Sequence, residues 1–481
     1  MTFRIAKHAS KYLKIKLFNL RRFTLIALSA FITLTGSAST FASEYDINTS
    51  DLIAETAVLI NQVSGQVLFD KNANTPMYPA STTKILTAII VLSDLPLDEV
   101  VTIDAQSPYA GGSHIALEPN EQLTVEQLLY ALMITSGNDV AEALAIHHSG
   151  SLDAFADVMN ERAAEMGAIN SNFENPHGLP NPDHLTTAYD LAMIAKFAMQ
   201  NETFRKIVKT TRYEIPPTNV KTETRYLNST NSFYAGMEGS NDLITIRDKK
   251  MPIAYDLVTG IKRGFTDEAM NCLVSSVSKD DKAYISVVLR SNGIYMYQDS
   301  RLLLDYGLYG IVSHTLLQKN DVVETLTMSN KRKTQIPMVV EQTVVVDLLE
   351  GIDPASLEKK ITLLPAIDLP VKKGETMGTL SYYDGDKLLT SLPLVSSDDF
   401  IGEDLVTEAT HFFVSAERPL FSKAWFFFIF SRILISILVW RAIMTTIRIQ
   451  KLKRNRLKKR RSTAKPSTGK PSTAKPSTAM E

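Results

Sequence analysis

Ser81 and Lys84 stand three residues apart in the stretch "MYPASTTKILTAII", Met77 to Ile90. On a helix that spacing puts both side chains on one face, one turn apart, so the amine can reach the hydroxyl. A serine hydroxyl becomes a nucleophile when an adjacent base takes its proton. Lysine is such a base only when neutral, and burial or a neighbouring cation must first lower its pKa from about 10.4. If Ser81 starts the helix, its Oγ also sits at the positive end of the dipole. The pair has an ordinary reading too, because serine is a common N-cap. Spacing alone does not decide: Ser-x-x-Lys recurs at Ser276, Ser356, Ser462, Ser467 and Ser472.

The surrounding pattern shows what must position the pair. Residues 55–72 read as two strands around a Ser-Gly turn. From Ser81 the apolar residues Ile85, Leu86, Ile89 and Ile90 take helical spacing. A second helix is expected over Thr124 to Ile134, then the loop Thr135-Ser136-Gly137-Asn138 and another helix. Ser151 to Gly167 and Thr187 to Met199 are helical again, whereas from Asp256 the period changes to that of strands. Strands therefore open and close the region and helices fill its middle. This predicts an α/β (α+β) domain whose early hairpin joins the later strands in one antiparallel sheet with helices against it. A helix from Met296 is expected to end the domain near residue 318. Residues 322–400 show only short strands and predict a small all-β domain.

The 481 residues are enough for two or three domains, and a net charge of −1 with 44% hydrophobic residues excludes a basic nucleic-acid binder and a disordered acidic chain. The lone cysteine, Cys272, excludes an intramolecular disulfide and a cysteine-based zinc site. Seven Lys and Arg precede residue 23, followed by "FTLIALSAFITLTG" and small residues up to Ala42. That is a signal peptide over 1–42, with cleavage expected near Ala42-Ser43. At the other end "AWFFFIFSRILISILVW", Ala424 to Trp440, reads as a transmembrane helix within 421–444 after a connector at 401–420. The basic run that follows should stay cytoplasmic. Residues 445–481, which end in Pro-containing five-residue repeats, are expected to be a disordered cytoplasmic tail. The catalytic part then faces away from the cytoplasm.

Three short motifs follow one another: "YPASTTKILTA" at 78–88, "SGN" at 136–138 and "KRG" at 262–264. With the longer strings "NPHGLPNPDHLTTAYDLAMIA", "TGIKRGFTDEAMNCLVSS" and "DSRLLLDYGLYG", they resemble the penicillin-recognising serine acyl-transferases. The likeness is closest to the low-molecular-weight penicillin-binding proteins, the D-alanyl-D-alanine carboxypeptidases. It covers residues 50–318 as the catalytic domain and continues into 322–400. The resemblance implies a bacterial membrane enzyme that removes the terminal D-alanine from peptidoglycan pentapeptide stems, needs no cofactor and is inhibited by β-lactams. It also implies the roles. Ser81 would be the acyl-enzyme nucleophile and Lys84 its base. Ser136 would relay a proton, and Asn138 would hold the substrate amide. Lys262 would supply charge near Ser136 and the substrate carboxylate. Gly264 would let the substrate approach the strand, and the N–H groups of Ser81 and Phe265 would form the oxyanion hole.

The third motif departs from the family in having Arg263 where Thr or Ser is usual. A guanidinium suits a carboxylate and would replace the lost hydroxyl contact. Equally, its bulk would block the cleft, or strand alternation would aim it away from Lys262. Arg263 keeps open the alternative of a catalytically weakened wall-binding scaffold, beside that of a β-lactamase. His177 and His184 lack a third ligand at metal spacing, so no metal is expected, and Cys272 reads as a core residue.

Overall fold

The computed structural model describes residues 45–235, 243–328, 333–400 and 423–461; the expected signal peptide, the connector and the last repeats lie outside them. The chain forms two compact units, Met1–Pro365 with Gly374–Ser397, and Ala366–Lys373 with Asp398–Glu481.

The first unit opens with β1 (Thr56–Asn61) and β2 (Val67–Lys71). Helix α1 (Lys84–Asp94) follows, then the pair β3 (Val100–Thr102) and β4 (Gln122–Thr124). Helices α2 (Val125–Ile134), α3 (Asn138–Ser149), α4 (Leu152–Glu165), α5 (Ala188–Ala198) and α6 (Glu202–Lys209) come next. Two small hairpins, β5 (Arg212–Ile215) with β6 (Arg225–Asn228) and β7 (Leu243–Ile246) with β8 (Lys249–Pro252), flank the one-turn α7 (Ser232–Ala235). The long strands β9 (Val258–Thr266), β10 (Met270–Lys279) and β11 (Lys282–Ser291) precede α8 (Tyr295–Asp305).

The early hairpin joins these late strands in one sheet of order β2-β1-β11-β10-β9, every pair antiparallel. Both faces are covered, and the period of two sorts the side chains between them. Val58 and Ile60 pack with α1 and α2 in one core, beside Val274 and Val287. Ala57 and Leu59 pack with Leu302 and Leu303 of α8 in the other, beside Leu273 and Val288. Helix α1 is buried from Lys84 to Val91, so it runs through the first core and not over its surface. Helices α2, α4 and α5 begin at Thr124, Ser151 and Thr187, whose side chains each accept a backbone N–H and so cap them.

The structure differs from the sequence reading in several places. Ser81 does not cap a helix: Ala80–Thr83 is a 3₁₀ turn, and the α-helix starts only at Lys84. Helix α8 stops at Asp305 and a five-residue π-turn, Tyr306–Gly310, leads into a strand. A Cβ on Gly307 would come within 2.9 Å of the Tyr284 ring, so only glycine fits that turn.

The all-β part accordingly begins earlier, at β12 (Ile311–Leu317). It continues through β13 (Val322–Thr327), β14 (Gln335–Val340), β15 (Val344–Leu349), β16 (Glu358–Leu363), β17 (Thr376–Asp384) and β18 (Lys387–Ser396). Five of these form a sheet of order β13-β14-β18-β17-β16, and β12 pairs with β15.

In the second unit, α9 runs from Lys423 to Arg461, well past the expected end of the span at residue 444. The reason is local: Leu, Lys, Arg and Gln are good helix formers, and no proline occurs between Lys423 and Pro466. The window Phe430–Arg448 is long and apolar enough to cross a membrane.

Candidate active site

The turn Ala80–Thr83 is held from behind. Thr82 Oγ1 donates to the Pro79 carbonyl at 2.6 Å and Thr83 Oγ1 to that of Ala80 at 2.9 Å. Ala80 itself has φ +47°, a left-handed conformation that a non-glycine residue adopts only where its surroundings enforce it. The loop Asn175–Leu179 supplies that enforcement. Gly178, at φ +87°, lies so close that a Cβ there would be 1.8 Å from the Ala80 carbonyl oxygen. Asn175 ties the loop by accepting the Gly178 N–H and donating to the Leu179 carbonyl.

Lys84 is fully buried, yet its amine has three partners. Nζ lies 3.0 Å from Ser81 Oγ, 2.6 Å from Asn138 Oδ1 and 2.9 Å from the His177 carbonyl. The Asn138 orientation is fixed because its Nδ2 donates to the Gly111 carbonyl at 2.5 Å. Burial first, and the Lys262 charge second, hold the Lys84 pKa well below the usual lysine value, while Asp139 opposes them. Two of the three partners are amide carbonyls, which only accept. A neutral amine has two protons for these carbonyls and a lone pair for the third partner, the Ser81 hydroxyl.

Ser136 sits between α2 and α3 at φ +67° and is buried. Lys262, on β9, is buried as well, and burial followed by the neighbouring Arg263 charge lowers its pKa to about 7. Its Nζ donates to the Arg263 carbonyl at 3.0 Å. Among the described residues no hydrogen bond joins Lys262 to Ser136, so the expected relay is not assembled here as the Lys84 cluster is. Gly264 brings β9 against the turn: a Cβ there would lie 2.7 Å from the Ser81 nitrogen. Phe265 follows with its side chain half-exposed.

The Arg263 question resolves in part from register. Lys262 pairs across with Val274 and Arg263 with Leu273, and these two belong to opposite cores. The two basic side chains therefore leave β9 on opposite faces. Because β9 is the sheet edge, Arg263 remains half-buried beside the site and does not fill it.

The two histidines have structural work. His184 Nδ1 accepts the Glu174 N–H, so Nε2–H faces Thr83 Oγ1 at 2.9 Å. His177 Nδ1 accepts the Leu179 N–H, and its Nε2 meets Glu142 at 3.2 Å. Burial lowers both pKa values, that of His184 to about 3. The sequence reading missed the His177 carbonyl as a Lys84 partner and Gly178 as the support of the turn. The proline-flanked string "NPHGLP" was the available signal. Cys272, the expected core residue, is fully buried.

A family model described as D-alanyl-D-alanine carboxypeptidase matches residues 42–293, more than half of the chain. The chain belongs to this family. A second model, described as the C-terminal domain of penicillin-binding protein 5, matches residues 313–400. Among D-alanyl-D-alanine carboxypeptidases, DacF of Bacillus subtilis (strain 168) is 30% identical over 396 residues, 81% of this chain and 97% of its own length. The enzyme of Streptomyces sp. (strain K15) is 34% identical over 261 residues, 52% of this chain and 84% of its own. The crystal structure of DacD from Francisella tularensis aligns with a TM-score of 0.54 at 25% identity, covering 76% of this chain and 99% of that one. Penicillin-binding protein 5 from Haemophilus influenzae shares the fold, with a TM-score of 0.58 at 23% identity over 74% of this chain and all of that one. As a member of the D-alanyl-D-alanine carboxypeptidases the chain is a serine-type hydrolase, and neither the scaffold nor the β-lactamase alternative is favoured.

Proposed function

We propose that the chain removes the terminal D-alanine of peptidoglycan pentapeptide stems through an acyl-enzyme on Ser81. The observation that carries this reading is the Lys84 amine, buried and donating to two carbonyls, with Ser81 Oγ as its third neighbour. Lys84 takes the Ser81 proton as Oγ attacks the carbonyl of the penultimate residue. The N–H groups of Ser81 and Phe265 hold the oxyanion, a contribution of about 10²–10³ in rate per donor. The C–N bond then breaks, and the leaving amine receives its proton through Ser136. Water attacks the resulting ester, releases the shortened peptide and restores Ser81. Asn138 positions the substrate amide, Gly264 leaves room along β9, and Lys262 attracts the terminal carboxylate.

The reading extends to the topology. Residues 1–42 act as a signal peptide, α9 crosses the membrane, and residues 50–318 with the β domain lie on the extracytoplasmic side. β-Lactams acylate Ser81 in the same way as substrate.

Intact-mass measurement of the full chain after incubation with a labelled penicillin tests the core of this reading. One adduct on the wild type and none on Ser81→Ala is expected. A folded wild-type chain that stays unmodified, and releases no D-alanine from a pentapeptide ending in D-Ala-D-Ala, would overturn it.

A further inference from the structure

The second family model ends at residue 400, and what lies beyond has a charge pattern of its own. From Pro419 to Glu481 the sequence carries fifteen Lys and Arg against one acid, Glu481, whereas the preceding 418 residues carry 36 against 51. Nine of the fifteen fall between Arg448 and Arg461, in fourteen residues. Helix α9 continues unbroken through all of them.

Geometry fixes where these charges go once α9 crosses a bilayer. At about 1.5 Å per residue the helix extends ~58 Å, against a hydrocarbon core of about 30 Å. If the window Phe430–Arg448 fills that core, Ile449 to Arg461 extends about 20 Å further. The headgroup layer takes up roughly 5–8 Å of that length, and the screening length adds about 8 Å. Most of the nine cations therefore lie where lipid phosphates set the potential. Each Lys or Arg near an anionic surface strengthens association by about fivefold. Binders of single-stranded nucleic acid add aromatic side chains on which bases stack, and no aromatic residue occurs after Trp440.

We propose that the basic extension of α9, Arg448 to Arg461, is a binding site for the phosphodiester headgroups of anionic phospholipids. This rests on the reading of α9 as a spanning helix but not on which side its end faces.

The test uses the full chain in lipid nanodiscs, with spin-labelled phosphatidylglycerol and phosphatidylcholine reporting the lipid held at the protein. Phosphatidylglycerol should be preferred by about fivefold or more at low salt, and the preference should fade as ionic strength approaches about 1 M, where the Debye length is about 3 Å. Changing Lys451, Lys453, Arg454, Arg456, Lys458, Lys459, Arg460 and Arg461 together to glutamine should abolish the preference and leave thermal stability unchanged. Ser81→Ala should keep it. An equal preference in the glutamine variant would overturn the proposal. So would its loss at constant ionic strength on adding inorganic phosphate, which marks a free-anion site, or a single-stranded oligonucleotide, which marks a nucleic-acid site. Alkaline carbonate extraction separates the two readings: a released chain refutes the span, and a retained chain without lipid preference refutes only the headgroup site.

Discussion

At the scale of single residues, the site turns on two lysines whose charges are set apart by their neighbours. Burial and Lys262 hold the Lys84 pKa well below the usual lysine value, whereas that of Lys262 is lowered to about 7 because burial and Arg263 both disfavour its charge. Lys262 attracts a carboxylate only when protonated, so kcat/KM should fall as pH rises through about 7. Arg263→Ala removes one of the two causes and should move that alkaline limb to higher pH. If Arg263 also binds the carboxylate, the same variant should lose about tenfold or more in kcat/KM at pH near 6, since a hydrogen bond to a charged group is worth about 1.5–3 kcal/mol. A full pH profile on a D-Ala-D-Ala peptide reads both effects. An unchanged value near pH 6 removes Arg263 from substrate binding, and an unmoved limb removes it from control of Lys262. Ser81, Lys84 and Asn138, which the structure brings together, could be named from the sequence because side-chain chemistry demands particular residue types, and Ser136 and Lys262 were proposed on the same ground. The His177 carbonyl was not, because any residue type can present a backbone oxygen.

At the scale of elements, close approach decides the architecture of the site. The 3₁₀ turn, β9 and the loop after α4 meet at separations that only glycine allows at positions 178 and 264. Gly178→Ala meets both the Ala80 carbonyl and a left-handed backbone, the latter alone costing about 1–2 kcal/mol. The variant should unfold at lower temperature and acylate far more slowly. A calorimetric midpoint and a penicillin-labelling rate that both match wild type would show that the loop does not support the turn. Period-two and period-3.6 patterns made the central sheet and its helices readable. The same reasoning overlooked β14, where Pro337 argues against a strand, and β16, whose Glu358, Lys359 and Lys360 mask its alternation. It ran α8 too far because the fit of Gly307 against Tyr284 is a tertiary fact.

At the scale of the molecule, the β domain grips the catalytic sheet at the edge far from the site. Asp347 of β15 is buried and accepts from Asn61 Nδ2 at 2.6 Å and from Ser313 Oγ at 2.5 Å. Its backbone exchanges two further hydrogen bonds with the Gln66 side chain. All of this falls at the β1–β2 end of the sheet, whereas β9 forms the other edge. Asp347→Ala removes the charged acceptor of two hydrogen bonds, from the half-buried Asn61 and the exposed Ser313, and should cost about 1–3 kcal/mol. Urea unfolding should show that loss while the rate of Ser81 acylation holds. A stability equal to wild type would mean the domains are joined by other contacts.

Cys272 lies directly across from Gly264 in the register of β10 with β9, wholly enclosed, its thiol pushed up to about 12 by burial. It is also the only sulfhydryl in 481 residues. Maleimide reagents, which are attacked by thiolates, therefore find no accessible thiol on this protein. A cysteine placed at Tyr109, which is 81% exposed, or in the repeats after Arg461 becomes the sole point of attachment without any other change. Impermeant and permeant dyes applied to intact cells can then report which compartment each end of the chain occupies, one position at a time.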